Sequence, residues 1–244
     1  MNGYTIEPGA KLIYANLFRA EMAGANLAGA NLSWANLYGA DLTDANLTDA
    51  DLTGTELVGT NLTGANMTGA NMTYGRLHKV NLTNAILKGA LLQKADLTDA
   101  TVKDAKLTDA NLTESNMSRA NLAHALLNGA NLSRGVLWFT NLTGANLAYA
   151  NLTNAYLQKG NLNCAELWSA NLTGADLRFA QLVDADLTGA NMSAANMADA
   201  NLTGATLFRA RMRMVNLANA DISGANLSFA NLTGATMPDG TIHD

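Results

Sequence analysis

From Leu12 to Met237 every fifth residue of this 244-residue chain is Leu, Met, Val or Ile, with no slip in register. These are 46 consecutive five-residue units, most reading Ala, Asn or Asp, Leu, then two variable residues, as in Ala145-Asn146-Leu147-Ala148-Tyr149. A fixed short period confines a chain to a stacked repeat, in which each unit buries its apolar side only against its neighbours. It also excludes an α-helix, because five residues advance a side chain by about 140° past a full turn and no apolar stripe forms. Within a unit the Ala and the Leu are two positions apart, the spacing that puts both on one side of an extended segment. The Asn or Asp between them then points outward.

The other two positions of each unit read as a corner. Tetrads such as Leu62-Thr63-Gly64-Ala65 and Leu172-Thr173-Gly174-Ala175 place Gly third in a four-residue turn. A type II turn requires a positive φ at that place, which Gly adopts without a Cβ clash. Where the slot holds Asp44, Arg119 or Phe139, a different turn type is expected. Extended segment and turn alternate throughout, so the chain must coil.

The A-(N/D)-L-x-x pattern resembles the pentapeptide-repeat proteins, and the match covers about residues 10–238. The resemblance implies an all-β fold, a right-handed quadrilateral parallel β-helix with four units per coil and the Leu and Ala columns inside. Forty-six units then make about 11–12 coils, and at about 4.8 Å per coil a rod roughly 55 Å long. Residues 1–244 are expected to form one domain, with short caps at Tyr4–Ala10 and Met237–Asp244. The closing stretch is similar to those of several cyanobacterial members.

Each inward Leu should contribute about 1.5–3 kcal/mol by burial, before chain entropy is subtracted. The Ala column marks tight space beside it. Met67, Met72, Met192 and Met197 stand in the Leu column and read as core filler, whereas Met214 stands at a corner. The two Pro lie near the ends, as an uninterrupted hydrogen-bond ladder requires. The single Cys164 cannot form an internal disulfide. A net charge of −5 disfavours non-specific nucleic-acid binding. With no basic-then-apolar opening and no apolar run of bilayer length, a cytoplasmic location and no membrane partner are expected.

Catalytic groups must converge, and none do when the units are folded four to a coil as the resemblance implies. His78, His124 and His243 lie at different heights or on different faces, and Cys164 has no His within one coil. Asp99, Asp104 and Asp109 occupy successive corners and point apart. No enzyme, cofactor or metal is expected. One face does differ from the rest, built from the units around Leu17, Leu37, Leu57 and so on to Leu177. It carries Phe18 and Tyr38 and, as the candidate contact residues, Arg76, His78, Lys79, Arg119, Trp138, Phe139, Tyr156, Lys159, Arg178 and Phe179, of the aromatic and Arg types that anchor protein interfaces. Stacked salt bridges are expected there, for instance among Lys79, Asp99 and Arg119. Tyr149 and Trp168, taken as lying on a neighbouring face, would extend the patch.

The expected function is a non-catalytic rigid scaffold that binds a protein partner. Two other readings stay open at this point. Some relatives protect DNA gyrase by mimicking a duplex, but B-DNA carries about one charge per 1.7 Å, so a 55 Å mimic needs on the order of 30 charges. This chain has 20 acidic residues diluted by 15 basic ones. It also lacks the inserted loop and C-terminal dimerisation helix found among gyrase-active relatives. The flat Asn and Thr grid from Asn111/Thr113 to Asn191/Ser193 resembles an ice- or water-ordering surface. A coil that stops exposes its inner layer and its strand edges, so a monomer or an end-to-end homodimer is expected.

Overall fold

A computed structural model describes residues 3–244. Every fifth residue from Lys11 to Asn216 makes a parallel bridge to the residue 20 places further on, from Lys11 with Asn31 to Asn216 with Thr236. Twenty residues are four units, so each coil has four sides. Each side is one bridged residue followed by a two-residue turn, and no helix occurs among the described residues. We call the sides faces 1 to 4, beginning in the first coil at residues 10–14, 15–19, 20–24 and 25–29 and repeating every 20 residues. Face 1 is opposite face 3, and face 2 is opposite face 4.

Four backbone hydrogen bonds recur per unit. Around Leu147, the Leu147 N–H donates to Glu166 O (2.7 Å), Tyr149 N–H to Trp168 O (3.1 Å) and Glu166 N–H to Ala145 O (3.0 Å). These three join neighbouring coils. The fourth, Ala150 N–H to Leu147 O (3.0 Å), closes the turn. The ladder thus satisfies main-chain groups that a buried coil leaves no water to satisfy.

The corner geometry does not vary with sequence. Asp44, Arg119 and Phe139 have φ of +56°, +59° and +57°, close to the +69° of Gly64. The expectation of a different turn at these three corners is therefore wrong. The reason is the ladder: the slot's own amide must reach the coil above. Asp44 N–H donates to Thr63 O (2.9 Å), Arg119 N–H to Trp138 O (2.8 Å) and Phe139 N–H to Gln158 O (3.1 Å). A left-handed φ costs an L-residue about 1–2 kcal/mol, less than breaking the register of a whole column. Gly64 serves a second purpose, since a Cβ there would lie 2.2 Å from the Asp44 Oδ1 of the coil below.

Inside, the Leu and Ala columns are buried along the rod, with Ala145 and Leu147 at 0 % exposure. Met67, Met72, Met192 and Met197 are buried with them, and Met214 is exposed. Where Ser or Thr replaces Ala, its hydroxyl donates to a main-chain carbonyl: Thr60 Oγ1 to Leu37 O (2.7 Å), Ser115 Oγ to Leu112 O (2.7 Å), Thr140 Oγ1 to Met117 O (2.9 Å). Outside, the Asn or Asp of each unit caps its own corner. Asn171 Oδ1 accepts from Thr173 N–H (3.1 Å) and from Thr173 Oγ1 (2.7 Å), a local motif that explains why these two side-chain types fill the column.

The two ends differ. Leu12, Leu17 and Met22 of the first coil are buried, with Ile6 packed against the core. In the last coil Ile222, Leu227 and Leu232 are only partly covered. One corner is closed by a short return of the chain, in which Thr236 bridges Ile242 in antiparallel fashion and Met237 N–H donates to Thr241 O (2.7 Å) across the Pro238-Asp239-Gly240 turn.

Candidate interaction face

The coil places Arg76, His78, Lys79, Arg119, Trp138, Phe139, Tyr156, Lys159, Arg178 and Phe179 all on face 2, where the 20-residue bridges stack their units. They fall into two groups. Trp138, Phe139, Tyr156, Lys159 and Phe179 form an exposed aromatic patch in which Phe139 is 57 % and Phe179 48 % exposed. Phe139 and Phe179 occupy the same corner column two coils apart, about 10 Å, which leaves room for one cation between them. Lys159 Nζ fills it, 5.3 Å from the Phe139 ring centre and 5.9 Å from that of Phe179.

The arginines are less available than their positions imply. Arg178 forks onto Asp176, Nε to Oδ1 at 2.9 Å and Nη2 to Oδ2 at 2.7 Å, and Gln158 Nε2 adds a third bond to Oδ2 at 2.7 Å. Burial pushes the Asp176 pKa up, but the Arg178 and Gln158 bonds outweigh it and hold it below the usual carboxylate value. The need to donate to Asp176 turns the Gln158 amide so that its Oε1 is buried without a partner. Arg119 likewise forks onto Asp99, at 2.7 and 2.8 Å, and this hydrogen bonding lowers the Asp99 pKa. His78 Nδ1 is 3.9 Å from Asp99, while Lys79 makes no ion pair among the described residues, so the expected three-residue ladder is a pair with a weak histidine neighbour. Arg76 holds Glu56 at 2.5 Å.

Two further aromatic pairs lie on the rod. Phe18 and Tyr38 stack at 5.5 Å and, with Asn36, Glu56, Val58 and Arg76, line a shallow groove of about 360 Å³ at the N-terminal part of face 2. The signal was present, since Phe18, Tyr38 and Val58 are spaced by 20. Tyr149 and Trp168, by contrast, do not extend the patch. They pack edge to face at 4.5 Å on face 4, which four-sided coiling sets opposite face 2, not beside it. On face 1 the Asn and Thr groups of the grid bond to one another: Thr113 and Thr153 hydroxyls donate to Asn111 and Asn151, and Asn151 Nδ2 donates to Asn131 Oδ1 at 3.2 Å.

Among the described residues no group of three or more His, Cys, Asp or Glu side chains is placed to hold a metal ion. No helix among them is long and apolar enough to cross a membrane.

The sequence profile of pentapeptide repeats matches in eight copies that together run from residue 9 to residue 237. Of solved structures, the chain is similar to HetL, a pentapeptide repeat protein involved in heterocyst differentiation regulation from the cyanobacterium Nostoc sp. strain PCC 7120. The identity is 34 %, the TM-score 0.55, and the match covers 92 % of this chain and 93 % of that one. A pentapeptide repeat protein of the Arabidopsis thaliana thylakoid lumen matches at 29 % identity and a TM-score of 0.39, over 42 % of this chain and 71 % of its own. QnrB1, a plasmid-mediated fluoroquinolone resistance protein, matches at 21 % identity and a TM-score of 0.39, over 84 % and 90 %. Among curated protein sequences none matches.

Proposed function

The chain belongs to the pentapeptide-repeat family, and from that premise we propose that it is a non-catalytic, right-handed β-helical scaffold that presents face 2 to a protein partner. The observation that carries this reading is the aromatic patch. Trp138, Phe139, Tyr156 and Phe179 stand 44–57 % exposed on a rigid ladder, and such rings anchor interfaces because they bury large area at small conformational cost. A folded monomer leaves about half of each ring in water.

Two of these rings, Phe139 and Phe179, also hold a left-handed φ that glycine fills at many other corners. The ladder sets that φ at every corner, so it is the exposure of these rings, not their backbone, that points to a partner. The ion pairs Asp176–Arg178 and Asp99–Arg119 fix neighbouring side chains and are not the primary contacts. Duplex mimicry draws no support here, since 20 acidic residues offset by 15 basic ones fall well short of the roughly 30 charges a duplex of this length presents. A cytoplasmic location is part of the same proposal.

Affinity capture from a lysate of the source organism tests it. Protein retained by the parent is expected to be lost with Trp138→Ala/Phe179→Ala and kept with Trp168→Ala on the opposite face. Equal recovery by all three removes face 2 from the account.

A further inference from the structure

We infer that face 1 is a self-association surface, on which two copies of the chain lie side by side and antiparallel. This goes beyond the reading of face 2, which such a pair leaves open to solvent. Arg209, Arg211 and Arg213 follow one another around the corner onto face 1 of the last coils, and all three are exposed. Arg76, Arg119, Arg134 and Arg178 each hold a carboxylate within 4.0 Å, whereas among the described residues these three hold none. Arg209 is placed over the Phe208 ring at 5.0 Å.

The same columns carry the opposite charge eight coils away. Counting back 160 residues, a whole number of 20-residue coils, Arg209 falls on Asp49 and Arg211 on Asp51. Neither aspartate has a cationic partner among the described residues. Between Arg19 and Arg76 there is no Lys or Arg at all, and between Asp199 and Asp221 there is no acid. Apart from Lys11 in the first coil, which this register leaves without a counterpart, each rod is therefore acidic at one end of this face and basic at the other, with the two charge centres about 38 Å apart.

A two-fold axis lying in face 1 and crossing the rod at Asn131 makes these charges meet. That operation sets every column against itself and reverses the order of the coils. Arg211 then faces Asp51 of the second copy, Arg209 faces Asp49, and the same two pairs recur at the other end, as an isologous contact requires. Bulk is matched in the same register. Along the neighbouring corner column, exposed Met214 comes opposite Gly54, over which the Trp34 ring of that chain lies, so thioether meets indole. Tyr74 comes opposite Ala194, and Trp34 opposite Gly234. Of the charged side chains only Arg134 meets its own image, at the rim, and there each guanidinium is occupied by Glu114 of its own chain at 3.4 Å.

Between the charged ends the face is flat, with its Asn and Thr groups already bonded to one another. A strip some 50 Å by 10 Å buries on the order of 1,000 Å² in total, the lower edge for a specific pair. The association is thus weak, reversible and sensitive to salt.

Sedimentation velocity on the full chain, over a concentration series at low and at physiological ionic strength, tests this. The expected result is a reversible dimer of the 25.5 kDa chain that weakens as salt rises. Arg211→Asp and Asp51→Arg are each expected to weaken it about tenfold or more by opposing like charges. An equimolar mixture of the two variants should recover the dimer, because a mixed pair restores unlike charges at both ends. Thermal melts confirm that both variants fold. A parent that stays at 25.5 kDa throughout, a dimer that neither variant weakens, or a mixture no better than either variant alone would each overturn the inference.

Discussion

Substituting Gly64 and Gly59 by Ala separates two reasons for glycine at a corner. At Gly59 φ is +65° and nothing lies within 4 Å of an added Cβ; at Gly64 φ is +69° and the Cβ would lie 2.2 Å from Asp44 Oδ1. Both changes incur the left-handed cost of about 1–2 kcal/mol, offset by about 0.4–1 kcal/mol from a less flexible unfolded chain. Gly59→Ala should therefore lose about 0.5–1 kcal/mol. Gly64→Ala must also push Asp44 from its rotamer, adding about 0.5–1.5 kcal/mol. In an Asp44→Gly background that second term disappears, so Gly64→Ala should then cost no more than Gly59→Ala. Urea unfolding followed by circular dichroism, compared at constant m-value, reads each corner of the cycle. Equal losses at the two sites, or a Gly64→Ala cost that Asp44→Gly leaves unchanged, would refute the account of side chains folding onto the coil above.

Leu147→Ala is expected to cost about 2–5 kcal/mol by lost burial and a cavity, read as a lowered urea midpoint. Ala145→Leu, although more hydrophobic, should cost about 1–3 kcal/mol because both positions are fully buried between coils. Acid should destabilise the rod in one window only. Asp99 and Asp176 have folded pKa values below their ordinary 3.8, so the stability they supply is complete above that value and is lost as pH falls through the folded value. Melting temperature should hold steady from pH 7 to about pH 5 and drop below about pH 4, with a shallower drop in Asp176→Asn.

The inner columns were legible from sequence because one period governs them: Leu and Ala two apart can only share a side. The coil of four units was implied by family resemblance, since a five-residue period is compatible with other numbers of sides. Once that number is fixed, the stacking of Phe18 on Tyr38 follows by counting in twenties, and so does the separation of Trp168 from Trp138. Placing Tyr149 and Trp168 beside face 2 was an error in that count. The turns at Asp44, Arg119 and Phe139 were misread for a different reason. The propensity of the single residue argues for another turn, whereas the ladder above it decides. Side-chain commitments such as Arg178 on Asp176, rather than on a partner, depend on rotamers that spacing does not reveal.

The interaction role of face 2 is tested most directly by photo-cross-linking. A photoreactive residue introduced at Phe179 should trap a protein partner in the source cell, while the same residue at Trp168, on the opposite face, should trap none. Cross-links from Trp168 with none from Phe179 would contradict the assignment of the working face.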